Sequence, residues 1–319
     1  MQDTKSLILS NSGAPKPSIS ESFDASWQAD HLNNWQQEYD QISSGQFQGE
    51  LKQLNFEQMD ISREFASQAL RQSCYVKRGG FWLGFSQGKQ PSKMNGIESD
   101  NTSLFWHSGQ KEFELVTAQD TVIYSLLIDR QLLDDNTLSQ YLNAEQVLNQ
   151  LPKAKIQALL YLLNRLLNPH NTHWRENCQQ KILNDAVTEL LAMNSAERFK
   201  KPSFARRQQT VKIIREFITS QPSAEPVTIE ELCRVAHVSR RTLQYSFNDL
   251  LGMSPKQFIK AVRLNQIRRC LFDLNDDRDI YQIAFDFGYF HLGQFSQDYK
   301  KLFSQTAGET RLMAKKLAD

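Results

Sequence analysis

A short polar segment in the last third of the chain carries residue types that can recognise nucleic-acid bases. In RRTLQYSFNDLLG (240–252), the apolar residues recur at helical spacing, so the polar residues share the opposite face of a helix. Arginine can donate two hydrogen bonds to guanine, and glutamine can form a matching pair with adenine. An ordinary solvent-exposed helix face would carry similar residue types, so the surrounding sequence pattern must distinguish it from a DNA-contacting face. The candidates for DNA contact are Ser239, Arg240, Arg241, Gln244, Tyr245 and Asn248.

This segment is the second half of a predicted pair of helices. Thr228 and Glu231 have the spacing of a capping box at the start of the first helix. His237 lies in the break, Ser239 is the next predicted cap, and Gly252 ends the second helix. Two short helices joined by a tight turn, with a polar outer face on the second, predict a helix-turn-helix unit.

A similar pattern recurs 52 residues downstream, where Phe295 corresponds to Leu243 and Tyr299 to Phe247. The aromatic residues of DFGYFHLGQFSQDYKKLF (286–303) are therefore interpreted as a buried stripe and not as a ligand box. Glycine within a helix costs about 1 kcal/mol relative to alanine, so tight packing or close approach to DNA must explain the one at position 293. The candidates on or near this outer face are Phe290, His291, Gly293, Ser296, Gln297 and Lys300.

Between the two units, SPKQFIKAVRLNQIRRCLFD (254–273) predicts a helix with Ser254 as cap and Pro255 in its first position. A rigid spacer would let both second helices enter successive major grooves, which are about 34 Å apart. Four of its basic residues are candidate phosphate contacts, although solvated charges are an equal alternative. They are Lys256, Lys260, Arg268 and Arg269.

The first half of the chain has a different pattern. Residues 45–130 alternate short apolar runs with turn residues, which predicts short strands. Leucines at helical spacing in 156–167 predict an amphipathic helix, whose stripe is core or, less favoured, a dimer seam. The predicted fold class is α+β. Its parts are a disordered lead-in (1–22), a β-rich sensor domain with helices from about residue 131 (23–199), a linker (200–209) and a double helix-turn-helix domain (210–319).

A small-molecule effector pocket in the β-rich domain is a further candidate site, with core packing as the favoured alternative for each aromatic residue. A cupin-like metalloenzyme is the main rival interpretation of this domain, but His107 is the only histidine within 45–130. A small-molecule-binding protein with a helical adaptor domain is a second rival. The candidate effector residues are Arg63, Arg71, Gln72, Phe81, Trp82, Phe85, Trp106 and Phe113.

Bulk composition agrees with a two-domain protein whose C-terminal part binds DNA. Residues 206–319 carry 18 Lys+Arg against 13 Asp+Glu, whereas residues 1–205 carry 19 against 23. A basic C-terminal third favours a polyanionic partner. The four cysteines are widely spaced, which favours a reducing cytoplasm. No apolar run is long enough to predict a membrane span, and catalytic motifs of hydrolases and nucleotide-binding loops are absent.

The C-terminal residues resemble the AraC/XylS group of transcription regulators. The residues that carry the resemblance include VSRRTL (238–243), Pro255 with Phe258, FGY (287–289) and Phe303. The resemblance implies a cytoplasmic activator that binds promoter DNA, RNA polymerase and an effector, with a homodimer as an option. Further segments resemble regulators of ethanolamine operons, which implies ethanolamine and adenosylcobalamin as effectors. These segments are residues 34–51, 63–85, 112–115, 237–244 and 291–295. Gln297 replaces an arginine common in the group, and the segment after Phe303 also departs from its pattern.

Overall fold

The computed structural model shows a β-sandwich followed by helices, which confirms the predicted α+β class. It describes residues 15–77, 79–109, 111–133, 146–148, 152–170, 176–192, 202–220 and 227–318.

The sandwich strands are β1 (Ser18–Ser22), β2 (Trp35–Gln41), β3 (Gly49–Asn55), β4 (Met59–Ala66), β5 (Leu70–Val76), β6 (Gly80–Gln87), β7 (Ser92–Met94), β8 (Ile97–Ser99), β9 (Leu104–His107), β10 (Phe113–Thr117), β11 (Thr121–Asp129) and β12 (Gln146–Leu148). In the described residues one sheet has the order β1-β3-β4-β11-β6-β9-β12 and the other β2-β5-β10-β7-β8. Neighbouring strands pair antiparallel, and β2 is an edge strand whose outer backbone groups need other partners.

The helices begin with α1 (Ala25–Asp30), which packs on β2 and β3. The others are α2 (Lys153–Leu166), α3 (Glu176–Ala192), α4 (Pro202–Ser220), α5 (Ile229–Val235), α6 (Arg240–Leu251), α7 (Pro255–Phe272), α8 (Ile280–Asp286), α9 (Leu292–Phe303) and α10 (Ala307–Ala318).

Four apolar clusters hold these elements together. One lies between the two sheets, and a second lies between the outer face of the larger sheet and helices α2 and α3. The leucine stripe of α2 belongs to the second cluster, with Leu159 and Leu163 buried there. It therefore packs in the core, as the sequence pattern favoured, and is not exposed as a dimer interface. The other two clusters each hold one helical pair of the C-terminal domain.

Three predicted boundaries differ from the structure. The lead-in predicted at 1–22 is too long, because β1 pairs with β3 from Ser18 onwards. The linker predicted at 200–209 is wrong from Pro202, where α4 begins and runs on to Ser220. Proline is tolerated in the first turn of a helix, so its presence did not exclude this. The helical extension predicted from about residue 131 contains strand β12 before its first long helix.

Candidate nucleic-acid interface

The first helix-turn-helix unit, α5 and α6, has the predicted caps. The Thr228 hydroxyl accepts a hydrogen bond from the Glu231 N–H at 3.1 Å, and Ser239 accepts from the Thr242 N–H at 3.2 Å. Gly252 ends α6 in the left-handed conformation at φ 68°. Leu243 is among the residues that α6 buries against α4, α5 and α7. The unit is therefore anchored by one apolar face and leaves the other free.

The structure brings all six candidates of this unit to the exposed face: Ser239, Arg240, Arg241, Gln244, Tyr245 and Asn248. Arg240 forms a long ion pair of 3.9 Å with Glu230, which is also exposed. The side chains can therefore exchange solvent for bases or phosphates at little cost. Their roles in DNA contact stay predictions.

One neighbour of this face was missed because it falls within the segment predicted as a linker. The Arg207 guanidinium of α4 lies 5.3 Å from the ring centroid of Tyr245 and 3.4 Å from Asp249. A cation over an aromatic ring restricts the ring, so α4 helps to position Tyr245. A helical interpretation of residues 202–220 would have placed Arg207 on a helix, although only the structure shows that this helix packs against α6.

The second unit, α8 and α9, buries the aromatic stripe that the sequence predicts. Phe295, Tyr299 and Phe303 are at most 2% exposed, and the Tyr299 ring packs against both phenylalanine rings in a tilted arrangement. Tyr289 packs on Phe295 at the turn. The six candidates of this unit lie on the exposed side: Phe290, His291, Gly293, Ser296, Gln297 and Lys300.

The two units differ by one residue in the turn. The first helices correspond at a shift of 51 residues and the second helices at a shift of 52, so the single predicted shift of 52 is wrong for the first helices. The left-handed residue is His237 in one turn and Gly288 in the other, and equivalent hydrogen bonds follow it. The extra position is Phe290, which is exposed and contacts Phe285 edge to face.

Gly293 is not explained by packing. A Cβ atom built at this position has no heavy atom within 4 Å apart from its own helical neighbourhood. Of the two explanations offered by the sequence, tight packing is therefore wrong, and close approach to DNA remains.

Helix α7 is buried along its length and fixes the relation between the two units. Ser254 and Gln257 form a capping box at its start. Phe258 belongs to the core of the first unit, while Ile267 and Leu271 belong to the core of the second. At 1.5 Å per residue, its 18 residues span about 27 Å. A single continuous helix therefore connects the two cores.

Two of the four predicted phosphate contacts on α7 are wrong. Arg268 is buried and donates to Asp24 at 2.5 Å, and Arg269 donates to Asp40 at 2.7 Å, so both bind the sandwich domain. Lys260 forms a 2.9 Å ion pair with Asp298 of α9, while Lys256 is exposed. Helical periodicity could not detect this, because it does not show which face of α7 meets the other domain.

Asp40 is the centre of a buried charge network between the domains. It accepts from Arg269 at 2.7 Å and from Arg71 at 3.1 Å, and Arg71 also donates to Glu114 at 2.9 Å. Burial by itself lowers the pKa of a guanidinium, but Asp40 and Glu38 outweigh it and raise the pKa of Arg269. The network thus contains stably charged groups that join β2, β5 and α7.

The predicted effector residues do not converge. Phe81 and Phe85 point to the core under α2 and α3, whereas Trp82, one residue away, points between the sheets. Successive strand residues face opposite sides, so one pocket cannot collect all of them. Trp106 lies in the core under α2 and α3, whereas Phe113 lies between the sheets. Arg71 and Gln72 are buried in β5, and Arg63 of β4 pairs with Glu50 of β3. The prediction that these residues together line one effector pocket is therefore wrong.

The structure gives no metal centre in the described residues: they contain no group of three or more His, Cys, Asp or Glu arranged to hold an ion. His107 is buried, lies 4.5 Å from the Phe113 ring and accepts from the Gly109 N–H. None of the described helices is long and apolar enough to cross a membrane.

Comparison with known proteins identifies the C-terminal part. A family model described as "Helix-turn-helix domain" matches residues 232–313. The XylDLEGF operon transcriptional activator of Pseudomonas putida is 34% identical over 139 residues, which are 42% of this chain and 41% of that protein. A probable thc operon regulatory protein of Rhodococcus erythropolis is 30% identical over 86 residues, 27% of this chain and 26% of that one. The chain thus matches less than half the length of these relatives.

Among solved structures, the AraC-like transcriptional activator CuxR aligns with 78% of this chain and 94% of its own, at 17% identity and a TM-score of 0.42. The residues that match the family model run from within α5 into α10, so they include α6, α7, α8 and α9. Residues 232–313 therefore form a helix-turn-helix domain.

Proposed function

We propose that this protein is a sequence-specific DNA-binding transcription regulator that responds to an effector. One observation carries the proposal: a single buried helix, α7, joins two helix-turn-helix units whose second helices both expose polar side chains. Such an arrangement supports insertion of α6 and α9 into successive major grooves. The similarity to operon activators supports activation, in which the regulator acts with RNA polymerase.

Selection of duplexes from a randomised pool tests the DNA proposal without a known operator. We expect the full chain to enrich one motif with two parts, one for each unit. Affinity for that motif is expected to fall steeply as salt rises, because phosphate contacts release counterions. A pool that stays random, or an affinity that does not depend on salt, contradicts the proposal.

The identity of the effector is proposed from sequence resemblance to regulators of ethanolamine operons. It supports ethanolamine and adenosylcobalamin as effectors, and ethanolamine utilisation genes as targets. Thermal unfolding of the purified chain with each compound and with both together tests this. A ligand that binds only the folded state raises the midpoint with its concentration. No rise with either compound contradicts this choice of effector and leaves the DNA proposal standing.

A further inference from the structure

A cleft of about 820 Å³ lies where the sandwich meets the C-terminal helices. One wall comes from α1 and from strands β2 and β5, and the other comes from α4 and α7. Its volume is in the range of small-molecule sites in proteins. The cleft lies apart from the DNA-facing side chains of α6 and α9, and none of those lines it.

Acidic groups outnumber basic ones in this cleft. Asp24 is paired with Arg268, and Glu112 with Arg215 and Lys212. Burial would raise the pKa of Glu112, but hydrogen bonds from Ser73 and Arg215 outweigh it and lower this pKa to about 2. The lining carboxylates are Asp24, Asp30, Glu38, Glu112 and Asp273, against the lining guanidiniums of Arg215 and Arg269.

Three of these carboxylates are incompletely neutralised. Within the described residues, Asp30 and Asp273 form no ion pair, and Glu38 Oε1 lies 3.9 Å from Arg269 Nη1, which is too far for a hydrogen bond. A surplus of negative charge in a concave site favours a cationic ligand.

Two acceptors in the cleft wall lack a donor. The Oε1 atoms of Gln37 and Glu38 are buried and have no hydrogen-bond partner in the described part of the protein. A buried acceptor without a partner has lost its hydrogen bonds to water, so a ligand that donates a hydrogen bond there gains affinity. Both residues are on the edge strand β2 and line the same cleft, so each offers an unpartnered acceptor to a ligand that donates hydrogen bonds.

The apolar part of the lining is aromatic. Trp27 of α1 stacks on Phe272 of α7 with ring centroids 6.1 Å apart, and Tyr75 of β5 is 40% exposed. Aromatic faces attract ammonium groups, because the ring quadrupole is negative there. Aromatic walls, unpartnered acceptors and surplus carboxylates all fit one chemical class of ligand.

We propose that this cleft binds a small organic ammonium ion. The assignment rests on the proposed function, since it specifies the effector class and its site. The ligand would contact the sandwich through Gln37 and Glu38 and lie against α7 near Arg269. Binding there would change the contacts that hold the DNA-binding domain to the sandwich.

Isothermal titration of the full chain with two pairs of probes tests the assignment. Each pair compares an ammonium ion with the alcohol of similar shape: ethanolamine with ethylene glycol, and 2-phenylethylamine with 2-phenylethanol. At pH 7 we expect at least one ammonium ion to bind about tenfold more tightly than its alcohol, because the ring faces and carboxylates recognise the charge. Equal affinity within both pairs, or no binding by either ammonium ion, overturns the assignment.

Two charge-removing variants locate the binding site. Glu38→Gln is expected to weaken ammonium binding by about fivefold or more, and Asp30→Asn provides a second test at an exposed position if the first variant does not fold. Glu21→Gln, an exposed change on β1 outside the cleft, is the control and keeps wild-type affinity. Wild-type affinity in both cleft variants overturns the assignment. Duplex selection tests the DNA-binding function separately, so the two proposals can fail independently.

Discussion

Asn265 and Gln41, which are 224 positions apart, exchange two hydrogen bonds of 3.0 Å. The Asn265 amide accepts from the Gln41 N–H and donates to the Gln41 carbonyl, as a neighbouring strand would. Gln41 ends β2, which is an edge strand of its sheet. Helix α7 therefore protects this edge, and one side chain connects the two domains.

Replacing Asn265 with Ala is expected to destabilise the domain contact. The Gln41 N–H and carbonyl would lose their partners in a buried place, at about 1–3 kcal/mol for each buried group. We expect a lower urea midpoint and faster proteolysis near β2. Lys256→Ala, an exposed change on the same helix, is the control and should leave both unchanged. Equal midpoints for the two variants would contradict this role for Asn265.

Asp40→Asn is expected to be strongly destabilising, because it leaves the guanidiniums of Arg71 and Arg269 without their shared carboxylate. Removing one partner of a buried ion pair costs about 3–5 kcal/mol. Glu50→Gln disrupts the partly exposed ion pairs with Lys52 and Arg63 and should cost under about 1 kcal/mol. Urea unfolding of both variants measures the difference, and similar costs would show that the Asp40 network contributes little.

Arg241→Ala is expected to weaken DNA binding and to relax base preference at one position of the selected motif. A bidentate arginine–guanine contact discriminates by about 1–3 kcal/mol. Lys315→Ala removes a positive charge from the exposed side of α10 and controls for charge alone. Footprinting and repeated duplex selection measure both effects. Unchanged affinity and motif in Arg241→Ala would remove this residue from the interface.

Gly293→Ala separates the stability of α9 from its fit to DNA. Alanine favours a helix over glycine by up to about 1 kcal/mol, and open space surrounds the position. We therefore expect a higher unfolding midpoint and weaker DNA binding. Gly308→Ala is a matched control, because Gly308 is also the second residue of its helix and equally unobstructed. Gly308→Ala should raise the unfolding midpoint and leave DNA affinity unchanged. Unchanged DNA affinity in Gly293→Ala would show that close approach of the α9 backbone to DNA is not needed.

Glu64 predicts a pH dependence of stability. Burial raises its pKa to about 7 in spite of hydrogen bonds from Gln28 and Tyr39. The unfolded pKa is about 4.3, so this group favours the folded state most below that pH and loses its contribution as pH rises towards 7. Glu64→Gln is expected to be more stable than wild type at pH 8, by on the order of 3 kcal/mol.

The advantage of Glu64→Gln should shrink when the pH is lowered from 8 to 5, because wild-type Glu64 then takes up its proton. Urea unfolding at the two pH values measures this. Glu21→Gln, at an exposed position, should follow wild type at both. An advantage that does not depend on pH would mean that packing, and not ionisation, separates the variant from wild type.

The sequence by itself determined the helix-turn-helix units and their outer faces. Caps such as Ser239 and the apolar spacing of α6 and α9 are local signals. The apolar residues of such a helix define its buried face, so the polar residues between them must lie on the exposed face. Local signals were less reliable at Pro202, where a proline consistent with a linker begins a helix. They also missed the extra turn residue in the second unit.

Only the tertiary structure decided which residues meet across the domains. Arg268 and Arg269 have the charge of phosphate contacts, yet Asp24 and Asp40 bind them. Phe81 and Trp82 are neighbours in sequence but lie in different cores. Such pairs are set by how the sandwich rests on α7, and that contact joins residues more than 200 positions apart. Helical and strand periodicities span only a few residues, so they define a face without naming its partner.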